Sequence, residues 1–350
     1  MMIVVPSLRP GGMERVASVL SNEFARDDKI EIFLITLSRK DPFYLLDKKV
    51  RLFQPPNKFK KIRSLRILFL FFWIRKCFRQ LTPKAVLSLG ETYNPFVIFS
   101  SLGFSHRVLV SNRASPLSSL KGIRGFLNPK LYRLANTVIL QTRLAKKILS
   151  PKYGGCSFAI IPNPIPQAEE VDLNLKKNIV LNVGSIGGDK NQDLLLQYFH
   201  DLPETAHWQL HFVGEGPLRS SVEKLADNLQ ISQRTVFHGL RKDTENYYRK
   251  AKIFAFTSTS EGFPNALAEA MAHGCACISF DCIAGPSDLI DDGVNGFLVP
   301  VGDHKQYREK LQLLLSDPEL TAQFGENAMM KMKQFSLDKI ARRYLDFMIN

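Results

Sequence analysis

The segment IPNPIPQ, residues 161–167, places three prolines within five residues and divides the sequence into two runs of the same kind. Proline fixes φ and removes a backbone donor, so this stretch suits neither a helix nor a central strand and reads as an extended linker. Before it, short apolar strands at 2–6, 31–37, 85–89, 107–111, 137–142 and 158–161 alternate with helical stretches, such as the amphipathic one near 13–26 carrying Val16, Val19, Leu20 and Phe24. After it the alternation restarts, with strands at 178–184, 208–214, 235–240, 253–258 and 276–280 and helices near 190–200, 217–228, 243–251 and 264–273. Further helical stretches near 303–315, 319–333 and 336–348 follow. Strands that alternate with helices form parallel sheets covered on both faces. A chain of 350 residues also exceeds one ordinary core. The expectation is an α/β protein of two doubly wound, Rossmann-like domains, residues 1–165 and 166–335, with a ligand cleft where their strand C-terminal ends face each other.

Several classes are excluded early. The five cysteines (77, 156, 275, 277 and 282) are odd in number, irregularly spaced and without a CxxC pair, which points to reduced thiols. No HExxH occurs, and His207 and His211 flank WQL with no third ligand nearby, so no metal site is expected. MMIVVP is too short for the apolar core of a signal peptide, and the longest apolar run, ILFLFFWI at 67–74, is far below the roughly 18 residues that span a bilayer. The expectation is a cytoplasmic protein.

Charge is divided unevenly. Residues 1–165 hold 28 Lys and Arg against 8 Asp and Glu, a net of +20, whereas residues 166–350 hold 19 against 25, a net of −6. Residues 48–90 contain twelve basic residues and no acid. Half of the chain is built to meet an anionic partner. Within it, residues 58–81 (KFKKIRSLRILFLFFWIRKCFRQL) combine eight basic residues with more apolar surface than one helical stripe needs. That fits a helix partly packed in the core and partly seated on an anionic membrane surface. A nucleic-acid partner is not expected, because the basic residues match no DNA- or RNA-binding motif.

Three glycine turns join strands to helices. In GGMER (11–15), Gly11 and Gly12 open a helix whose N-terminus can receive an anion, though a tight turn needs glycine in any case. In NVGSIGGDKNQDLLL (182–196), Lys190 stands at the mouth of a helix, against the usual preference for acids there. VGEGPLR (213–219) is a third such turn, and Arg219 and Arg241 are minor candidates for phosphate contacts. No GxGxxG and no GxxxxGK[ST] occurs.

The stretch EGFPNALAEAMAHGCACISF (261–280) carries Glu261 before a short helix and Glu269 inside it, amid Ala, Leu and Met. Pro264 suits the first helical turn and Gly274 the position past its end. The loop offers N–H groups from Phe263, Asn265 and Ala266. Either glutamate alone reads as a cap or a solvated acid. As a pair in an apolar setting they need partners, which sugar or ribose hydroxyls would supply.

This stretch closely resembles the E-x7-E signature of the GT-B glycosyltransferases of the large retaining family 4. SLRPGGMERVASVLSNEFA, IIPNPI, VGEGPLR and DLIDDGVNGFLVPVGD extend the resemblance over nearly the whole chain. It implies a GT-B fold, with a terminal helix at 336–350 packing back on the first domain. By analogy Glu269 binds the ribose hydroxyls of a nucleotide-sugar donor and Glu261 the donor sugar. Lys190 and the backbone at Gly12 and from Phe263 through Asn265 to Ala266 hold the diphosphate, and Gly184, Ser185, Arg241 and Gly262 are further donor-binding positions. Glu261 and Lys190 are the catalytic candidates, and Gly11, Asn112 and Arg113 lie on the sugar or acceptor side. The implied reaction moves a hexose or N-acetylhexosamine, from a UDP-sugar by preference, to a lipid-linked or polysaccharide-precursor glycan such as a polyprenyl-diphosphate-linked acceptor. No cofactor and no metal is implied, since no DxD motif is present. The implied place is the cytoplasmic face of the inner membrane.

Two positions depart from the family pattern. Ser185 stands where an arginine is usual, so Lys190 acts alone or with Arg241. SNRASP, with Asn112 and Arg113, stands where a histidine often lies near the sugar. The alternatives are a weakly catalytic sugar-nucleotide-binding partner protein and, further away, a basic nucleic-acid-binding protein.

Overall fold

The computed structural model describes all residues except 57–62, 167–170, 204–206, 284 and 350. The chain forms two compact units, one of Met1–Pro164 with Leu337–Asn350, the other Ile165–Ser336.

The first unit holds seven strands, β1 (Met2–Val5), β2 (Phe33–Thr36), β3 (Arg51–Phe53), β4 (Ala85–Leu89), β5 (Arg107–Ser111), β6 (Thr137–Leu140) and β7 (Phe158–Ile160). All pair in parallel, in the order β3-β2-β1-β4-β5-β6-β7. Met2 of β1 sits between Phe33 and Val86. Its helices are α1 (Gly12–Phe24), α2 (Arg63–Leu81), α3 (Asn94–Ser101), α4 (Pro116–Ser119), α5 (Gly122–Leu131) and α6 (Arg143–Leu149). Leu20, Phe24, Leu34 and Leu87 fill the core on one face, and Ile35, Phe78, Val86 and Val97 on the other. Burial on both faces is why the strands read as continuous apolar runs rather than alternating ones.

The second unit repeats the plan with β8 (Lys177–Val183), β9 (Gln209–Val213), β10 (Thr235–Phe237), β11 (Ala251–Phe256), β12 (Ala276–Phe280) and β13 (Gly296–Val299), ordered β10-β9-β8-β11-β12-β13. Its helices are α7 (Gln192–Asp201), α8 (Arg219–Asn228), α9 (Glu245–Lys250), α10 (Asn265–Ala272), α11 (Pro286–Leu289), α12 (His304–Ser316) and α13 (Pro318–Met332). In each sheet the strand order reverses once, between β1 and β4 and between β8 and β11. At such a reversal successive crossovers leave on opposite faces, and a crevice opens beyond the strand C-termini.

The last helix, α14 (Leu337–Ile349), belongs to the first unit and packs against α1. Ile340, Ala341, Tyr344 and Met348 recur at helical spacing and are all buried. The Tyr344 hydroxyl accepts a hydrogen bond from Arg113 Nη2 at 2.8 Å, and Arg343 donates to the Ile160 carbonyl.

The structure adds two strands that the sequence reading lacks. β3 is three residues followed closely by two prolines, and β13 is a four-residue run inside a glycine- and aspartate-rich loop. Both are too short to show a periodicity. Strands expected to reach Thr142, Leu240 and Ser258 stop earlier, because those last residues turn away into loops. The N-terminal part of the basic segment, residues 58–62, lies outside the described residues. Helix α2 packs through Ile74, Cys77 and Phe78, while Leu65, Ile67, Leu68 and Phe72 remain exposed.

Removing the Tyr344 ring tests how firmly α14 is held. Tyr344→Ala should cost about 3–5 kcal/mol, and Tyr344→Phe, which removes only the hydroxyl, about 1–2 kcal/mol. Urea unfolding followed by circular dichroism measures both.

Candidate functional site

The reversal between β8 and β11 gathers the residues with the most chemistry in the second unit. β8 leads into Gly184 and Ser185, and a single tight turn at Gly188–Lys190 leads to Asn191, in the left-handed conformation (φ 49°). The buried Gln192 amide donates to the Ser185 carbonyl at 3.0 Å, folding this loop back on itself. β11 continues into Thr257, Ser258 and Thr259. Thr257 Oγ1 donates to the Lys190 carbonyl at 2.7 Å, Asn191 Nδ2 to the Thr257 carbonyl at 3.0 Å, and the Thr259 N–H to the Asp189 carbonyl at 2.9 Å. One strand level lower, Asn182 Nδ2 donates to the Ala255 carbonyl at 2.8 Å. Two loops distant in sequence are thereby held as one surface.

On that surface Lys190 Nζ forms an ion pair with Glu261 Oε1. The two side chains are only 23% and 13% exposed, enough shielding to strengthen their attraction and enough access to meet a ligand. The thiol of Cys282, 1% exposed, lies close enough to feel both charges. Burial first, and then the Glu261 carboxylate, push its pKa up to about 12, so it stays a neutral thiol at physiological pH.

Beyond Glu261 and Gly262 the chain turns through the buried Phe263 into α10. Pro264 is the residue before the helix, not in its first turn, with φ −81° and ψ 75°. The Asn265 N–H donates to the Phe263 carbonyl at 2.9 Å, so it is not the open donor expected from the sequence. Ala266 lies in the first turn, where backbone N–H groups have no partner within the helix. Glu269 is buried at 6% exposure, as are its neighbours from Leu267 to Ala272. Gly274 takes φ +69° past the helix end, and the backbone of Gly325 in α13 passes so close to the Gly274 carbonyl that a Cβ there would collide. On the other side Gly285, at φ +149°, lies against the Pro264 ring in the same way.

The glycines of VGEGPLR have a related use. A Cβ on Gly214 or Gly216 would run into the carbonyl oxygens of Gly184 or Ile186, and Ile186 N–H donates to the Glu215 carbonyl at 3.1 Å. They let the loop after β9 buttress the loop that carries Lys190. Arg219 is committed to Glu215 and Glu223. Arg241 is exposed between β10 and α9, near His238, and no contact among the described residues joins it to Lys190 or Glu261.

In the first unit the candidates have structural partners. Gly11 precedes α1 with its N–H 3.3 Å from the Tyr44 hydroxyl, and Gly12 is the first residue of the helix. The Glu14 carboxyl rests against Gly11, and burial raises its pKa. Asn112 is buried, its Oδ1 accepting from Tyr132 at 2.7 Å. Arg113 reaches Asn163 and Tyr344 with its side chain and Glu91 with its backbone N–H. Asn182, Asn191, Gln192, Thr257 and Cys282 were not candidates in the sequence. Of these only Thr257 carries a signal in the sequence, the polar TSTS that follows the apolar run IFAF.

Residues 166–330 match the family described as glycosyl transferases group 1. Over its whole length the chain is similar to the amylovoran biosynthesis glycosyltransferase AmsD of Erwinia amylovora, 26% identical over 97% of this chain and 96% of that one. The protein is a glycosyltransferase. A Campylobacter jejuni α-1,4-N-acetyl-D-galactosaminyltransferase, named for a substrate on diphospho-undecaprenol, is 26% identical over 98% of this chain and 96% of its own. The solved lipopolysaccharide outer core galactosyltransferase WaaB superposes with a TM-score of 0.79 at 21% identity, over 99% of this chain and 98% of that one. The glycosyltransferase thus has the GT-B fold of two Rossmann-like domains.

Two outcomes follow for this glycosyltransferase. Gly285→Ala should cost about 1–3 kcal/mol through backbone strain, on top of the collision with Pro264, and displace the loop before α10. Thermal melting of the variant checks this. The five thiols all have pKa values raised by burial, so at pH 8 the native enzyme should resist iodoacetamide while the unfolded chain reacts at five sites. Mass spectrometry counts the adducts.

Proposed function

We propose that the enzyme is a retaining, family 4 glycosyltransferase that moves a hexose or N-acetylhexosamine from a nucleotide-diphosphate sugar to a lipid-linked or surface-polysaccharide glycan precursor. The observation that carries this is the Lys190–Glu261 ion pair at the strand reversal, beside the first turn of α10. Breaking a glycosyl-phosphate bond places growing negative charge on the leaving diphosphate and positive character on the sugar. Lys190, with the N–H groups that open α10, supplies the positive field for the former. Glu261 supplies an acceptor for sugar hydroxyls, and the buried Glu269 one for a ribose. The pair holds both charges in place before substrate arrives, so little reorganisation is left for the reaction itself. With a cation already at the diphosphate, no metal is needed in this scheme.

The expected nucleotide is UDP. Support comes from the glycan-building relatives and from HepE, a structural neighbour solved with UDP and with UDP-glucose (TM-score 0.81 for each). A membrane-borne acceptor fits the +20 charge of residues 1–165 and the exposed apolar side chains of α2. Helix α5 adds Ile123 and Phe126, 76% and 63% exposed, with Lys130 Nζ 3.7 Å from the centroid of the Phe126 ring. Cationic helices with exposed apolar residues bind the interface of anionic bilayers, which supports the reading of a peripheral enzyme on the cytoplasmic leaflet.

Glu261→Gln and Lys190→Ala should each lower kcat by about 10²–10³-fold, the usual loss when one preorganised group is removed. UDP-sugar binding, followed by thermal shift, should fall much less in Glu261→Gln. NMR of the product should show the donor's anomeric configuration kept, and EDTA should leave the rate unchanged. Full activity in Glu261→Gln would overturn the catalytic assignment. In co-sedimentation the enzyme should follow phosphatidylglycerol vesicles over phosphatidylcholine ones, and Leu68→Asp with Phe72→Asp should abolish the preference.

A further inference from the structure

Two histidines 27 positions apart meet at the margin of the second sheet, where β10 is the edge strand. In the parallel pairing of β9 with β10, Val236 lies opposite His211. His238, two residues on, therefore falls on the same face as a diagonal neighbour of His211. Gln209 shares that face, while Leu210 and Phe212 alternate to the other and fill the core. His211 Nδ1 and His238 Nε2 are 3.2 Å apart, and His211 Nε2 is 3.0 Å from Gln209 Oε1. Both imidazoles are half-buried, and the Tyr247 ring of α9 lies against His238 with centroids 4.6 Å apart.

The two rings do not meet head to head. A straight hydrogen bond of that length would hold their centroids about 5.5 Å apart. They stand 4.9 Å apart, with the ring planes inclined by 61°. For rings disposed symmetrically about one point, separations of 3.2 Å and 4.9 Å put that point about 2 Å from each nitrogen, the length of a zinc–imidazole bond. The angle subtended there is about 100°, between the octahedral and tetrahedral values. Gln209 completes the arrangement. Its Oε1 accepts, so His211 Nε2 carries the proton and Nδ1 presents the lone pair towards His238. Metal-binding imidazoles are commonly fixed this way, by a hydrogen bond through the nitrogen that does not bind. Burial lowers the pKa of both rings, which keeps them neutral at physiological pH.

We propose that His211 Nδ1 and His238 Nε2 form a two-ligand site for a divalent transition-metal ion, zinc or copper, with water in the remaining positions. On binding, the proton of His238 moves from Nε2 to Nδ1. Among the described residues no carboxylate or thiol joins the pair as a third ligand, and Arg241 and Lys250 bring positive charge near His238. Both facts make the ion exchangeable, unlike that of a closed structural zinc site. The ion ties β9 to the turn after β10, where the Gly239 carbonyl accepts from the Gly214 N–H at 2.9 Å. It stands apart from the transfer scheme, so removing it leaves the chemistry of Lys190 and Glu261 in place.

The test uses the untagged full-length enzyme, freed of metal with EDTA and then dialysed. One equivalent of copper(II) should give an electron paramagnetic resonance spectrum split by two imidazole nitrogens. Calorimetric titration with zinc(II) should find one ion per chain. His211→Gln and His238→Gln should each weaken it at least about tenfold, since loss of either ligand removes the chelate. Gln209→Leu, which removes neither ligand, should weaken it about tenfold through the tautomer of His211. Zinc should raise the melting temperature of the wild type and leave that of His211→Gln/His238→Gln unchanged, because an ion held only by the folded state stabilises it. A one-nitrogen copper spectrum, or equal zinc affinity in the wild type and the double variant, would assign the ion to exposed histidines such as His200 and His207 and overturn the proposal. So would unchanged zinc affinity in either single histidine variant. The copper spectrum of the wild type decides the matter even where a variant fails to fold. None of these readouts depends on sugar transfer, so failure here is separate from failure of the Glu261→Gln experiment.

Discussion

The Lys190–Glu261 pair joins residues 71 positions apart, and much of the second unit can be understood as what keeps them together. Neither charge is fully solvated, so each depends on the other while no ligand is bound, and either alone would be left undercompensated. The pair exists because β8 and β11 are neighbours in the sheet although two strands separate them in sequence. Thr257 and Asn191 then tie the two loops backbone to side chain, and Gly214 and Gly216 let a third loop press up behind them. A short buried helix, pinned by close glycine contacts at Gly274 and Gly285, sets the direction in which Glu261 and Glu269 are presented.

The same topological device is used twice with opposite electrostatics. In the second unit the reversal carries a cation already neutralised by a carboxylate, which suits a polar, transient ligand that exchanges one set of contacts for another. In the first unit the reversal carries cations with no ion-pair partner among the described residues, beside an apolar wall. The uneven division of charge between the halves of the chain is the bulk trace of this difference. Arg113 shows that position in the basic half does not by itself make a ligand contact. Its guanidinium is spent on Asn163 and Tyr344, which holds the terminal helix in place.

Much of the fold is legible in the sequence because a doubly wound sheet is buried on both faces, and its strands stand out as short apolar runs. AVLSL, RVLVS and ACISF coincide with β4, β5 and β12 residue for residue. The runs at Arg51–Phe53 and Gly296–Val299 are shorter than the window over which a pattern can be recognised. Cap geometry was also beyond reach, since Pro264 satisfies the statistics of a first-turn residue while its ψ of 75° places it outside the helix.

What the sequence determined by itself is the inventory: two α/β domains, a basic half, and Lys190, Glu261 and Glu269 as residues out of keeping with their surroundings. Each of those is a local property, set by composition, periodicity or a side chain's conflict with its neighbours. Tertiary structure alone decided which of them meet. It paired Lys190 with Glu261, buried Cys282 beside them, closed the Asn265 N–H and folded Glu14 against Gly11. It also gathered Arg9, Arg39, Lys40 and Arg66 around one crevice. The reason is the crossover: in a parallel sheet every strand-to-strand connection travels over the surface and returns. Neighbours at a strand reversal are therefore distant in sequence, and no local pattern records their contact.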